Sequence, residues 1–141
     1  MPEMTADEYK VFLSEGTRTA KLATVRKDGR PHVAPIWFVL DGDDLVFTTG
    51  RTTVKGHAIR RDGRVALCVD DEKPPFAFAL IEGTAATEDA EDLLHWATRI
   101  AARYMGAEQA EAYGKRNATE GELLVRVTPT KITAKNDIAG W

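Results

Sequence analysis

The chain has 141 residues, 19 of them basic and 22 acidic, for a formal net charge of −3, with 43% hydrophobic and 29% charged residues. That length suits one domain spanning 1–141, the composition is that of an ordinary globular protein, and the acidic balance argues against nucleic acid as the main partner. No run is long or apolar enough to span a membrane, Met1-Pro2-Glu3-Met4 lacks the basic start and apolar core of a signal peptide, and the single cysteine, Cys68, excludes an intrachain disulfide; the expected location is the cytoplasm.

Thr5-Ala6-Asp7-Glu8 is a capping box, with Thr5 as cap and Glu8 reaching back to it. Tyr9, Phe12 and Leu13 follow at helical spacing and Gly16 ends the helix, which is expected to cover one end of a sheet. Thr19 to Arg26 reads as a strand in which Ala20, Leu22 and Thr24 alternate with Lys21, Ala23 and Val25. Lys27-Asp28-Gly29-Arg30 is a hairpin turn, with Asp-Gly supplying the positive φ such turns need. The returning strand runs from His32 to Leu40, and Asp41-Gly42-Asp43-Asp44 makes the next tight turn. Pro35 inside that strand cannot donate to a ladder, so it marks an edge, a bulge or a close approach.

Leu45 to Thr49 is a strand rich in β-branched and aromatic residues, broken by Gly50. Thr52 or Thr53 then caps a short helix that carries Lys55, Arg60 and Arg61, and Asp62-Gly63 closes it. A helix N-terminus attracts anions through its free N–H groups and its dipole, threonine hydroxyls add donors, and Lys55 and Arg51 add full charge. From Leu45 to Arg64 the chain holds one acid, Asp62, against five bases, in an acidic protein. This pattern reads equally as a phosphate site and as a solvated basic helix.

Arg64 to Asp70 is a fourth strand, with Val65, Leu67 and Val69 on one face. Asp71 to Pro75 is a rigid loop, and Phe76 to Glu88 a long strand bent or bulged at Glu82-Gly83-Thr84. Asp89 to Met105 is the clearest helix, with Leu93, Leu94, Ala97, Ile100, Ala101 and Tyr104 at one-face spacing. Ala107 to Lys115 adds a short helix, and Arg116 to Gly121 a polar loop. Leu123 to Thr128 and Lys131 to Asn136 are final strands around Pro129. Six or seven strands with short turns and few helices predict a mostly β fold, a closed or partly closed antiparallel barrel with flanking helices.

Thr24-Val25-Arg26-Lys27-Asp28-Gly29-Arg30-Pro31-His32-Val33-Ala34-Pro35-Ile36-Trp37-Phe38 resembles the opening hairpin of the pyridoxamine 5′-phosphate oxidase-like split barrels. Phe47-Thr48-Thr49-Gly50, Lys55 and Ile59 to Leu67 resemble that family's phosphate-binding strand-turn-helix, and Glu82-Gly83-Thr84-Ala85 its Gly-x-Ala segment. The resemblance implies a six-stranded split barrel that forms a homodimer, with the cofactor in a groove at the dimer interface. Members bind FMN or the deazaflavin coenzyme F420, and a few related barrels bind haem. The short chain and the Thr-x-x-Lys pattern look more like the deazaflavin-dependent reductases of actinobacteria, including the biliverdin-reducing type, and there is no convincing counterpart of the oxidases' C-terminal substrate segment. The implied function is therefore hydride transfer from coenzyme F420 to a conjugated small molecule such as an enone, quinone or tetrapyrrole. FMN-dependent oxidoreduction and non-catalytic flavin or haem binding are the alternatives.

On that resemblance, Lys55 neutralises the cofactor phosphate with Thr48, Thr49 and Thr52, and Arg51 or Arg60 holds a second anionic group such as a glutamyl tail. Pro35, Ile36 and Trp37 line the ring, Ala34 and Ile36 leave backbone groups near its polar edge, and Phe76 and Phe78 pack the dimer interface and touch the partner's cofactor, with core packing as the other reading of both. Trp37 on an alternating strand reads equally as core. No catalytic residue stands out, as expected where the cofactor performs the redox step. His32, His57 and His95 show no metal-ligand spacing with each other or with Cys68, so no metal is expected. Of the three, His32 is a candidate for substrate contact. Cys68 reads as a small buried strand residue, and Trp141 is expected to pack rather than remain free.

Overall fold

The computed structural model describes residues 2–140, so Trp141 lies outside the described residues. Seven strands form one antiparallel sheet in the order β2-β1-β5-β6-β7-β4-β3: β1 (Ala20–Val25), β2 (Pro31–Ile36), β3 (Val39–Asp41), β4 (Asp44–Gly50), β5 (Arg64–Asp71), β6 (Ala77–Glu88) and β7 (Glu122–Lys135). Four helices flank it: α1 (Ala6–Ser14), α2 (Val54–Arg61), α3 (Leu93–Met105) and α4 (Ala110–Asn117), the last two each preceded by a 3₁₀ turn. The count is the upper of the six or seven expected and exceeds the six that the resemblance implied, because the short β3 pairs separately with β4. Ile36 near one margin of the sheet and Phe47 near the other join the same buried core as Leu22, Leu67, Ile81 and Val125. The sheet is thus rolled around one apolar interior and left split between β2 and β3, because period-2 alternation puts a buried side chain from each strand on the inner face.

α1 begins with the expected capping box: Thr5 Oγ1 accepts from the Glu8 N–H at 3.1 Å and Glu8 Oε1 from the Thr5 N–H at 2.9 Å. Tyr9, Phe12 and Leu13 bury its apolar face. The first hairpin turns at Gly29, whose φ of 87° is a conformation that favours glycine. Pro35 lies on β2, the sheet's edge, where its missing N–H costs no ladder bond.

Three expectations need correction. The strand expected over His32–Leu40 is broken at Trp37 and Phe38. There the Phe38 N–H donates to Tyr104 Oη (3.2 Å) and the Phe38 carbonyl accepts from Arg103 Nη1 (2.6 Å), so α3 side chains replace strand partners. The two final strands are one, β7. Pro129 lies opposite Gly83 where the register shifts, and the shift absorbs the missing donor. On α3 the buried stripe contains Trp96 (8% exposed) and omits Leu94 (47% exposed). This stripe packs on the outer side of β3, β4 and β7 through Val39, Val46 and Leu124.

Candidate functional site

β4 ends at Gly50, and the chain turns at once into α2. The Thr53 side chain holds this turn: its Oγ1 donates to the Gly50 carbonyl at 2.8 Å and accepts from the Gly56 N–H at 3.0 Å. Thr53, not Thr52, is therefore the cap. The Thr49 hydroxyl lies 3.2 Å from the Thr53 hydroxyl, on a residue that is 3% exposed, so it braces the cap. Gly56 is required by close approach, since a Cβ there would stand 2.3 Å from the Gly50 carbonyl oxygen. These contacts seat the first turn of α2, and with it Lys55, against the end of β4.

A cleft of about 310 Å³ opens at this corner. Pro35, Ile36 and Trp37 bound it from β2 and the bend after it, Thr48, Thr49 and Gly50 from β4, Lys55 from α2, Ala97 and Ile100 from α3, Asn117 from α4, and Glu122 from β7. It lies on the split between the two margins of the sheet. β2 pairs with β1 alone, so its other edge is left without a strand partner, and Pro35 presents no N–H there. Lys55 is half-buried, and none of the ion pairs among the described residues uses it. Burial pushes the Glu122 carboxyl above the usual glutamate range, against the Thr48 hydroxyl and the Lys55 charge, which pull it down.

Six of the eleven expected binding residues, Pro35, Ile36, Trp37, Thr48, Thr49 and Lys55, meet in this cleft. The other five do not line it. Ala34 sits back on β2 opposite Leu22. Thr52 is exposed in the turn. Arg51 is exposed as well, and its backbone N–H donates to the Gly121 carbonyl at 2.7 Å. Arg60 turns back on its own segment, donating through Nη2 to the Arg51 carbonyl at 2.7 Å, with His57 Nδ1 at 3.3 Å. Phe78 lies in a different cleft, with Cys68, Phe76 and Ile138.

The remaining bases of the segment are also engaged. The Arg61 guanidinium donates to the Val25 carbonyl, and Arg64 pairs with Asp62 at 2.7 Å, holding the Asp62 carboxyl down at about 2. Arg61 and His57 face a second, basic cleft with Arg26, Lys27 and Arg30.

Several members of the site were not visible in the sequence. Tyr104 stacks on Trp37 with ring centroids 4.9 Å apart and 4° between planes. Its hydroxyl donates to the Arg18 carbonyl at 2.7 Å, and burial raises its ionisation above the ordinary phenol range. Trp37 is thus held at the cleft by α3, with 38% of its surface still open. Ala97, Ile100, Asn117 and Glu122 arrive from elements far along the chain. Glu122 begins β7, where the register places it opposite Gly50.

His32 is half-buried on β2, and its Nδ1 and the Oγ1 of its cross-strand partner Thr24 are buried without hydrogen-bond partners. His95 is exposed on α3, edge-on to Trp96. Cys68 is half-buried rather than buried, on the outward face of β5. No cluster of metal-ligating side chains occurs among the described residues.

Residues 5–136 match the pyridoxamine 5′-phosphate oxidase family. Among solved structures, a conserved hypothetical protein of Mycobacterium tuberculosis is similar with a TM-score of 0.83 and 24% identity, over 95% of this chain and 86% of that one. An F420 reductase is similar with a TM-score of 0.68 and 27% identity, over 94% and 98% of the two chains. A heme storage protein from Vibrio cholerae shares the fold with a TM-score of 0.70 at 18% identity, over 90% and 92%. No curated protein sequence gives a significant match. With the match spanning nearly all of the split sheet and its cleft, the chain belongs to the pyridoxamine 5′-phosphate oxidase family.

Proposed function

We propose that the protein is a coenzyme F420-dependent reductase that acts on a conjugated small molecule such as an enone, a quinone or a tetrapyrrole. One observation carries the reading: Lys55, at the start of α2, shares a cleft with the free edge of β2. The donor set suits a phosphate, and the unpaired backbone of β2 suits the polar rim of a flat heterocycle. The 27% identity with an F420 reductase over 94% of this chain supports the choice of deazaflavin. When bound, the deazaflavin supplies a hydride.

The protein's part is binding, orientation and exclusion of water. Lys55 meets the phosphate. Pro35 and Ile36 present an apolar wall to the ring, and Tyr104 fixes Trp37 beside it. Ala97 and Ile100 close the cleft on the α3 side and keep water from the transferring face.

A cleft of about 310 Å³ holds part of such a cofactor, and a second copy of the chain is the expected source of the remaining wall. The homodimer reading is supported by the outward sheet face, where Val33 is 65% and Leu80 45% exposed along a groove with Ala23 and Ala66. Sedimentation of the wild type and of Leu80→Glu checks it, with a monomeric wild type counting against a shared site. No helix is long and apolar enough to cross a membrane.

The function is tested by titrating the protein with coenzyme F420 and with FMN while following cofactor fluorescence. Tight deazaflavin binding that falls on the order of 100-fold in Lys55→Ala is the expected result. Tight FMN binding with weak deazaflavin binding would assign the protein to FMN chemistry in the same family. Binding of neither removes the redox reading. Consumption of reduced coenzyme in the presence of enone, quinone or tetrapyrrole acceptors separates turnover from storage.

A further inference from the structure

We propose that Glu122 is an internal counter-ion of this site, so that an anion entering beside Lys55 binds together with one proton taken from solvent onto the Glu122 carboxylate. The inference rests on the reading that the cofactor phosphate lies at Lys55, and it adds the group that regulates entry there.

Glu122 begins β7 directly opposite Gly50 in the β4–β7 ladder. Gly50 has no side chain, and the Glu122 carboxylate enters the space this leaves: its Oε2 is 3.9 Å from where a Gly50 Cβ would stand. That point lies over the turn into α2, beside the Thr53 cap, where an arriving phosphate would seek the free N–H groups. The chain has therefore placed its own anion at the mouth of its anion site.

The groups facing the carboxylate are few. α2 contributes Lys55, the charged side chain among them. β4 contributes the Thr48 hydroxyl, and α4 the Asn117 amide. Ile36 from β2 and Ile100 from α3 do not titrate. Glu120, in the turn before β7, and Arg51 are both exposed to solvent.

With a single facing cation, Lys55 cannot neutralise Glu122 and a phosphate together. Two anions sharing one cation in a partly dry cleft raise each other's proton affinity, and the carboxylate takes the proton because its environment already favours the neutral form. No bond of the ligand changes. The proton is released when the anion leaves.

The test is calorimetric titration of wild type, Glu122→Gln and Lys55→Ala with coenzyme F420 and, separately, with inorganic pyrophosphate. Each titration is run in two buffers of different ionisation enthalpy, which reports protons taken up per site. Glu122→Ala is the second variant should the amide disturb folding. Wild-type affinity should weaken as pH rises above the ordinary glutamate range, with net proton uptake, while Glu122→Gln binds on the order of tenfold tighter at the upper end and loses that uptake. Equal affinity and equal uptake in wild type and Glu122→Gln overturn the inference, as does failure of the variant to bind either anion. Loss of binding in Lys55→Ala beside an unchanged Glu122→Gln removes the counter-ion alone and leaves the phosphate reading standing. Unchanged binding in Lys55→Ala removes both.

Discussion

Replacing Gly56 by alanine sets two effects against each other, and the structure decides the sign. In an exposed helix the change gains about 1 kcal/mol from helix propensity and the narrower unfolded ensemble. Here the new methyl would stand 2.3 Å from the Gly50 carbonyl oxygen, 3.1 Å from the Thr53 hydroxyl and 3.2 Å from the Arg51 carbonyl oxygen. Two of these three atoms are backbone, so α2 must retreat. Overpacking of this kind costs about 3 kcal/mol, and the cap bond from the Gly56 N–H to Thr53 adds about 1 kcal/mol to the loss. The net is a destabilisation of about 3 kcal/mol, which for a chain of this size lowers Tm by roughly 10 °C. Thermal melting followed by circular dichroism reads it without any ligand. His57→Ala, one position on and exposed, is the control and should stay within about 2 °C of wild type. A Gly56→Ala protein that melts at or above the wild-type temperature would refute the close-approach argument. The same variant should bind anions more weakly, because retreat of α2 carries Lys55 with it.

Arg103→Ala removes three bonds from one guanidinium, to the carbonyls of Leu13 (2.6 Å), Gly16 (3.0 Å) and Phe38 (2.6 Å), and should cost about 3 kcal/mol, seen in urea unfolding as a lower midpoint at unchanged slope. Tyr9→Phe deletes a buried hydroxyl with no partner and should leave stability unchanged or raise it by up to about 1 kcal/mol; a loss of that size would mean the hydroxyl is bonded. Burial, with a contribution from Asp43, raises Tyr9 to about 12, so the wild type should lose stability as pH climbs through the ordinary tyrosine range of about 10 towards that value, and Tyr9→Phe should lose less. Glu122 is raised as well, so its ionised form weighs on the fold as pH rises through the glutamate range and beyond. The stability advantage of Glu122→Gln should therefore be larger near neutrality than below about pH 4, and an advantage independent of pH would contradict the assignment.

What was legible in the sequence is what short-range chemistry controls. The Thr5–Glu8 box, the Gly29 turn, the inward faces of β1 and β5 and the bulge at Gly83 each follow from a few adjacent residues, and each is where the pattern places it. The strand end, Lys55 and the β2 segment of the site were legible for the same reason. Trp37 and Phe38 were misplaced within a strand because the side chains that satisfy them, Arg103 and Tyr104, lie more than sixty residues on. The single stretch β7 was divided because Pro129 reads as a breaker until its partner Gly83 is known. The basic residues misled in another way. Charge count singled out the segment but not the aim of each side chain: Arg60, Arg61 and Arg64 spend their donors on the Arg51 carbonyl, the Val25 carbonyl and Asp62. Glu122, the acid that shares the cleft with Lys55, could be located only through the pairing of β4 with β7.

The charge left in the cleft bears on which cofactor it suits. Lys55 contributes one positive charge, the start of α2 roughly half a charge, and ionised Glu122 one negative. The sum is about half a positive charge with Glu122 ionised and about one and a half with it protonated. A phosphodiester such as that in coenzyme F420 carries one negative charge, which the protonated cleft balances. A monoester such as that in FMN carries about −1.5 to −2 at neutral pH, which the cleft comes near to balancing only when Glu122 is protonated and leaves mostly unbalanced when it is ionised. Protonation of a carboxylate therefore weighs more heavily against the monoester, the more so as pH rises. Among the bases near α2, Lys55 alone lines this cleft, so on the proposed reading Glu122 would set the ranking of the two cofactors more than the surface arginines would. A neutral residue at position 122 would narrow the gap between them by relieving the monoester most.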